Sequence, residues 1–148
     1  MTRASYQQYD RHSTASIDTV RAAFAAATNG KLNINGELVN GGHSLRVRTF
    51  LTKGTVCLHC GLVGSHFALE RTGDRGPYHL NLWGFDADGD EHLLTHDHIV
   101  ARALGGADDI SNTQTLCSQC NGKKGKIENK LAQTIRRESL SSTLKESK

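Results

Sequence analysis

The sequence predicts an α+β fold in which antiparallel strands are preceded by an N-terminal helix plus hairpin and held by a structural zinc site. Three observations point there. Ile17, Val20, Phe24 and Ala27 recur at helical spacing. The segments HFALER, YHLNLWGF and EHLLTHDHI are separated by TGDRGP and DADGD, both dense in turn formers, as in a meander. Four cysteines fall into two matched pairs, Cys57-Leu-His-Cys60 and Cys117-Ser-Gln-Cys120. With 148 residues and 36% apolar content, the chain has core for one domain, though a thin one.

Taken in order, residues 1–15 read as a loose polar leader. Ser16 then caps the first helix, and Asn29-Gly30 stops it. From Leu32 to Val39 a hairpin is expected around Asn35-Gly36, because both turn positions need a positive φ. The stretch SLRVRTFLTKG fits a short helix ending at Gly54 about as well as a strand, and periodicity leaves the two open. The three strands follow. DADGD resembles the opening of a calcium loop, but it lacks the glycine and terminal glutamate at the required spacing and is read as a turn. A loop after Gly105-Gly106, a short strand over Thr113–Leu116 and a Lys-rich helix complete the chain. Trp83 is expected in the core between strands, and His43, His66, His79 and His92 as surface or sheet residues.

The opening MTRASYQQYD has no signal-peptide apolar stretch, and no run is long enough to span a bilayer. A soluble, intracellular protein is therefore expected, with no membrane partner. Thiols stay reduced there, so paired CxxC motifs read as Zn²⁺ ligands before disulfides. Zinc takes four soft donors in a tetrahedron, and Cys57, Cys60, Cys117 and Cys120 supply them. A redox dithiol would need only one pair. Charge is uneven: eight Lys or Arg against three Glu from Asn121 onward, but ten basic against twelve acidic side chains before it. A basic end on a near-neutral body suits a polyanionic partner.

The segment THDHIVARALGG crowds His96, Asp97 and His98 ahead of a double glycine. Asn112 follows, and Asn121 stands directly behind Cys120. Asp97-His98-Ile99, Gly105-Gly106, Asn112, Leu116-Cys117-Ser-Gln-Cys120-Asn121 and Lys124 together resemble the HNH endonucleases, in the form that carries zinc-binding CxxC pairs. LTKGTVCLHCG is similar to the family's lead-in to its first knuckle, which tips residues 44–53 towards helix. The resemblance covers roughly residues 44–126, and small phage-type HNH proteins are the nearest picture.

What the resemblance implies is a ββα-metal core, two strands and a helix around one divalent cation, Mg²⁺ or Mn²⁺. By that pattern Asp97 is a carboxylate ligand and Asn121 an amide-oxygen ligand, taking the place where the family often has histidine. His98 is the general base that activates water, and Asn112 braces the loop that holds it. DNA is the implied partner, cut to 5′-phosphate and 3′-hydroxyl ends, with Lys123, Lys124 and Lys126 expected at phosphate. The competing expectation is a catalytically silent, zinc-stabilised nucleic-acid-binding module. His96 is not a motif position. One such site cuts one strand, so double-strand cleavage calls for a homodimer or a second event. The division expected is an extension over residues 1–43, a nuclease core over 44–130 and a basic helix or tail over 131–148.

Overall fold

The computed structural model describes residues 9–146. Strand β1, Tyr9–Ser16, occupies part of the expected leader, which is the first correction; residues 1–8 lie outside the described residues. Nothing in YDRHSTAS forms an apolar run, so local pattern could not find this strand. It is held from outside instead, by pairing and by Arg11, which donates to Glu70 at 2.8 Å and to Glu91 at 2.5 Å. Ser16 ends the strand and caps α1, Ile17–Ala25, its hydroxyl accepting from the Thr19 amide at 3.1 Å. The helix stops at Ala25, short of Asn29-Gly30, which form a separate tight turn with positive φ.

The hairpin follows as expected: β2, Lys31–Ile34, pairs with β3, Glu37–Asn40, around Asn35 at φ 52° and Gly36 at φ 91°. A turn with two positive φ values matches the strand twist, and glycine supplies one of them without a Cβ penalty. Ser44 caps α2, Leu45–Lys53, and Gly54 ends it at φ 110°, so the segment left open by periodicity is a helix.

Strands β4, His66–Thr72, β5, His79–Phe85, β6, Glu91–His98, and β7, Thr113–Cys117, then build the main sheet in the order β1-β4-β5-β6-β7, antiparallel throughout. DADGD is a turn in which the Asp86 carboxylate accepts from the Asp88 and Asp90 amides, both at 2.9 Å. The knuckle and the Lys-rich segment form one continuous helix, α3, Ser118–Glu146, which passes through position 130 without a break. Among the described residues no helix is long and apolar enough to cross a membrane.

Phe50, Phe67, Leu69, Leu82, Leu94 and Val20 form the dry centre of the core. Thr113 accepts from the Thr49 hydroxyl within α2, and Thr115 donates to the Gly54 carbonyl at its end. Thr95 and Asp97, one residue out of phase across the ladder, bond to α3 instead. Alternation thus sends α2 and α3 to opposite faces of the same strand pair. Trp83 is buried as expected, and its indole donates to Glu70 at 2.6 Å. Glu70, 3% exposed, also accepts from Arg11 and from Asn81 at 3.0 Å, so this buried carboxylate is fully partnered.

Glu91 joins the same network through Arg11 and through His66 at 3.0 Å. Burial opposes its charge, but hydrogen bonds from Arg11 and His66 outweigh it and hold the carboxyl below its ordinary value. A depressed carboxyl stabilises the fold above its unfolded pKa and loses that contribution as pH falls through the folded one. Glu91→Gln should therefore melt about 3 °C lower than the parent at pH 7. The gap should narrow as pH falls below the ordinary carboxyl value of about 4; an equal gap at pH 7 and pH 3 in thermal melts would contradict the assignment.

Candidate active site

The residues singled out in THDHIVARALGG stand where β6 outlasts its neighbour. Pairing with β5 ends at Leu94, whereas pairing with β7 continues through Asp97↔Gln114 and His98↔Thr113. The last turn of the strand therefore projects at a sheet corner, and α3 passes over it. Asp97 is 7% exposed and accepts from Gln114 at 2.9 Å and from Lys124 at 3.1 Å. Asn121 donates its amide to Thr95 at 2.8 Å, so its side-chain oxygen is the end left to act as a donor to an ion. Asp97, His98 and Asn121 line one small pocket, together with His96, Ala101, Arg102 and Glu128.

His98 is not turned into the apolar interior. Its Nε2 meets the Asp108 carboxylate at 2.8 Å, and that hydrogen bond holds Asp108 below the usual carboxylate range. An ionised carboxylate only accepts, so Nε2 carries the proton and Nδ1 is the basic nitrogen of the neutral ring. His96 lies 5.7 Å away, ring centre to ring centre. Burial lowers its pKa, and the Arg46 charge adds to the effect.

Asn112 clasps the loop between β6 and β7. Its amide donates to Val100 at 3.0 Å and to Ala107 at 2.8 Å, its side-chain oxygen accepts from the Val100 amide at 3.0 Å, and its carbonyl accepts from Ile99 at 2.8 Å. Gly106 makes this clasp possible. A Cβ there would come within 1.7 Å of the Val100 oxygen and 2.8 Å of the Asn112 amide nitrogen.

Strand-borne acid and imidazole, clasping asparagine and helix-borne asparagine thus surround a single corner. Residues 86–136 match the HNH endonuclease family. The HNH segment is about a third of the chain and runs from the turn before β6 into α3. That family is one of nuclease-type hydrolases, and its members act on DNA. No curated protein and no solved structure matches the chain.

The HNH segment is tied to the rest of the fold by cysteine. Cys57, Cys60, Cys117 and Cys120 place their sulfurs within 4.8 Å of one another, with Cys60 and Cys117 at 3.8 Å. Bonds of about 2.3 Å in a tetrahedron put sulfurs roughly 3.8 Å apart, so the donor set suits a metal such as zinc. All four are free thiols. Burial alone would raise Cys57, but hydrogen bonds from the Cys60, Cys117 and His59 backbone bring it down to about 6. Burial and neighbouring sulfurs push Cys120 up to about 12. A metal binding this set must therefore displace protons, chiefly from the second knuckle. His59 is not in the cluster.

Of the three lysines expected at phosphate, Lys124 is placed differently. Its ammonium donates to the Asp97 carboxylate, to Glu128 at 2.8 Å and to the His98 carbonyl at 2.8 Å, so it tethers α3 to the end of β6. Partial burial would lower its pKa, but bonds to Glu128 and Asp97 outweigh that and raise it. Lys123 and Lys126 are exposed. Sequence reading missed Asp108, Gln114 and Glu128. Glu128 was legible as an i,i+4 partner of Lys124, whereas Gln114 needed the strand register. Asp108 lies in an Asp-Asp doublet whose other member, Asp109, bonds to Ser111, and nothing in the sequence tells the two apart.

Two outcomes follow for the cysteine cluster. Cys117→Ser should lower bound zinc measured by metal analysis. Stripping the metal with a zinc-selective chelator should lower the melting temperature by more than about 10 °C, since structural zinc contributes roughly 10–16 kcal/mol. Full zinc content in the variant would contradict the ligand set.

Proposed function

We propose that the chain is a metal-dependent endonuclease that hydrolyses DNA phosphodiester bonds and leaves 5′-phosphate and 3′-hydroxyl ends. The observation that carries this reading is that Asp97, His98 and Asn121, from a strand and a helix, line one pocket. On this reading β6, β7 and α3 supply the two strands and the helix of a ββα-metal core.

The donor set fits a hard cation. A carboxylate offers about four acceptor sites, so Asp97 can bind an ion beside Lys124 and Gln114, and Asn121 adds an amide oxygen. Asp97 and Asn121 would hold Mg²⁺ or Mn²⁺, which would supply Lewis-acid stabilisation of negative charge developing at the phosphate. The protein's own residues do the rest. His98, held by Asp108 with its proton on Nε2, accepts the proton of the attacking water at Nδ1. Asn112 fixes the loop that bounds the ring. Lys124 fixes Asp97 against α3, which keeps carboxylate and Asn121 amide on one side of the pocket.

The decisive experiment incubates purified protein with supercoiled plasmid, with and without added Mg²⁺, and scores nicked and linear product. His98→Ala should lose about 10²–10⁴ in rate with zinc content and melting temperature unchanged. A variant that cuts like the parent would overturn the base assignment, and a parent that binds DNA without cutting would favour the silent module. Asp108→Ala should cost about a hundredfold in kcat, because an unheld ring drifts by about 1 Å. Unaltered kcat there would remove Asp108 from the account.

A further inference from the structure

The lysines of α3 divide into two sets. Asn121, Lys124 and Glu128 recur at i, i+3 and i+7 on the side of the helix turned to the end of β6, where Asn121 and Glu128 line the pocket. Lys123, Lys126 and Lys130 each stand two positions beyond one of these, more than half a turn round a helix of 3.6 residues per turn. Arg137, two further heptads along from Lys123, continues the same line. All four are exposed. No described carboxylate pairs with any of them, while Lys124 is held by two. They form a basic stripe about 21 Å long that looks away from the catalytic pocket.

The stripe runs onto the C-terminal half of the helix. Past Ala132 every described residue of α3 is exposed. A helical stretch that short is marginal in water without tertiary contacts, so it gains from a partner. Its charge names the partner's chemistry: α3 carries seven Lys or Arg against three Glu. A polyanion with closely spaced charges fits such a row.

We infer that the outer face of α3, through Lys123, Lys126, Lys130 and Arg137, binds a second segment of duplex DNA, separate from the one entering the catalytic pocket. This rests on the endonuclease reading for the first segment. The inner face of α3 is packed on β6 through Asn121 and Lys124, so a duplex entering the pocket there meets the helix on the side opposite the stripe. A helix with its side chains is about 10–12 Å across, and DNA with a persistence length of about 50 nm does not wrap so thin a rod. The protein thereby bridges two duplexes.

The test needs no cleavage. One duplex is fixed to beads, the protein is added without divalent cation, and capture of a second, fluorescent duplex is measured. The parent and His98→Ala should both capture it. Lys130→Glu/Arg137→Glu should reduce capture at least about tenfold while binding the bead-fixed duplex and keeping kcat on a short duplex in Mg²⁺. The neutral pair Lys130→Gln/Arg137→Gln should lower the salt slope of capture by about 2. Capture equal to the parent in the charge-reversed variant overturns the inference. So does loss of all DNA binding in that variant, which would make the stripe the primary site. Sedimentation covers the remaining occupant: if capture tracks dimer formation and is lost in Leu131→Glu/Ile135→Glu instead, a second copy of the chain does the bridging. Capture with no plasmid cleavage would sink the endonuclease reading and leave the stripe.

Discussion

Four sulfurs within 4.8 Å of one another join segments nearly sixty residues apart, and the placement of α3 depends on that junction. Cys117 ends β7 and Cys120 lies in the first turn of α3, while Cys57 and Cys60 belong to the turn after α2. The Leu58 amide donates to the Thr115 carbonyl at 3.0 Å, so the first knuckle is also sewn to the strand that leads into the second. Asn121 follows Cys120 directly. Anchoring the sulfurs therefore fixes where Asn121 and Lys124 can reach, and a helix pivoting on that junction would carry both away from Asp97.

The second constraint is the corner where β6 parts from β5. A strand paired on both sides has its backbone groups occupied and both faces packed. Beyond Leu94 only β7 accompanies β6. That frees space for a pocket while the remaining ladder keeps the side chains aimed. Alternation then places neighbouring residues on opposite faces, with Asp97 toward α3 and His98 toward the loop that Asn112 clasps. Consecutive residues thus meet different partners, Lys124 for one and Asp108 for the other. Acid and imidazole are kept from neutralising each other, although they are adjacent in the chain.

Charge on α3 is organised by the same helical period. Lys124 spends its charge on Asp97 and Glu128, inside the fold. Its neighbours one and two positions away face water and retain theirs. Composition alone cannot separate these roles, because all are lysines in one short run.

The sequence by itself determined most local structure. Ser16 and Asn35-Gly36 act through bonds to their nearest neighbours, so that cap and that turn read directly, whereas the Ser44 cap emerged only with the structure because the pattern over 44–53 suits a strand about as well. The matched CxxC pairs and the Asp97-His98…Asn112…Asn121 spacing marked the candidate site. The tertiary structure decided what depends on distant partners. Strand β1 exists through pairing with β4 and through Arg11, not through its own pattern. Asp108, rather than Asp109, holds His98 because of how the loop folds back. Lys124 turns inward because β6 brings two acceptors to it. Such choices are settled by register and by which groups are carried together across the sheet, and the energies involved are pairwise between residues that the chain order keeps far apart.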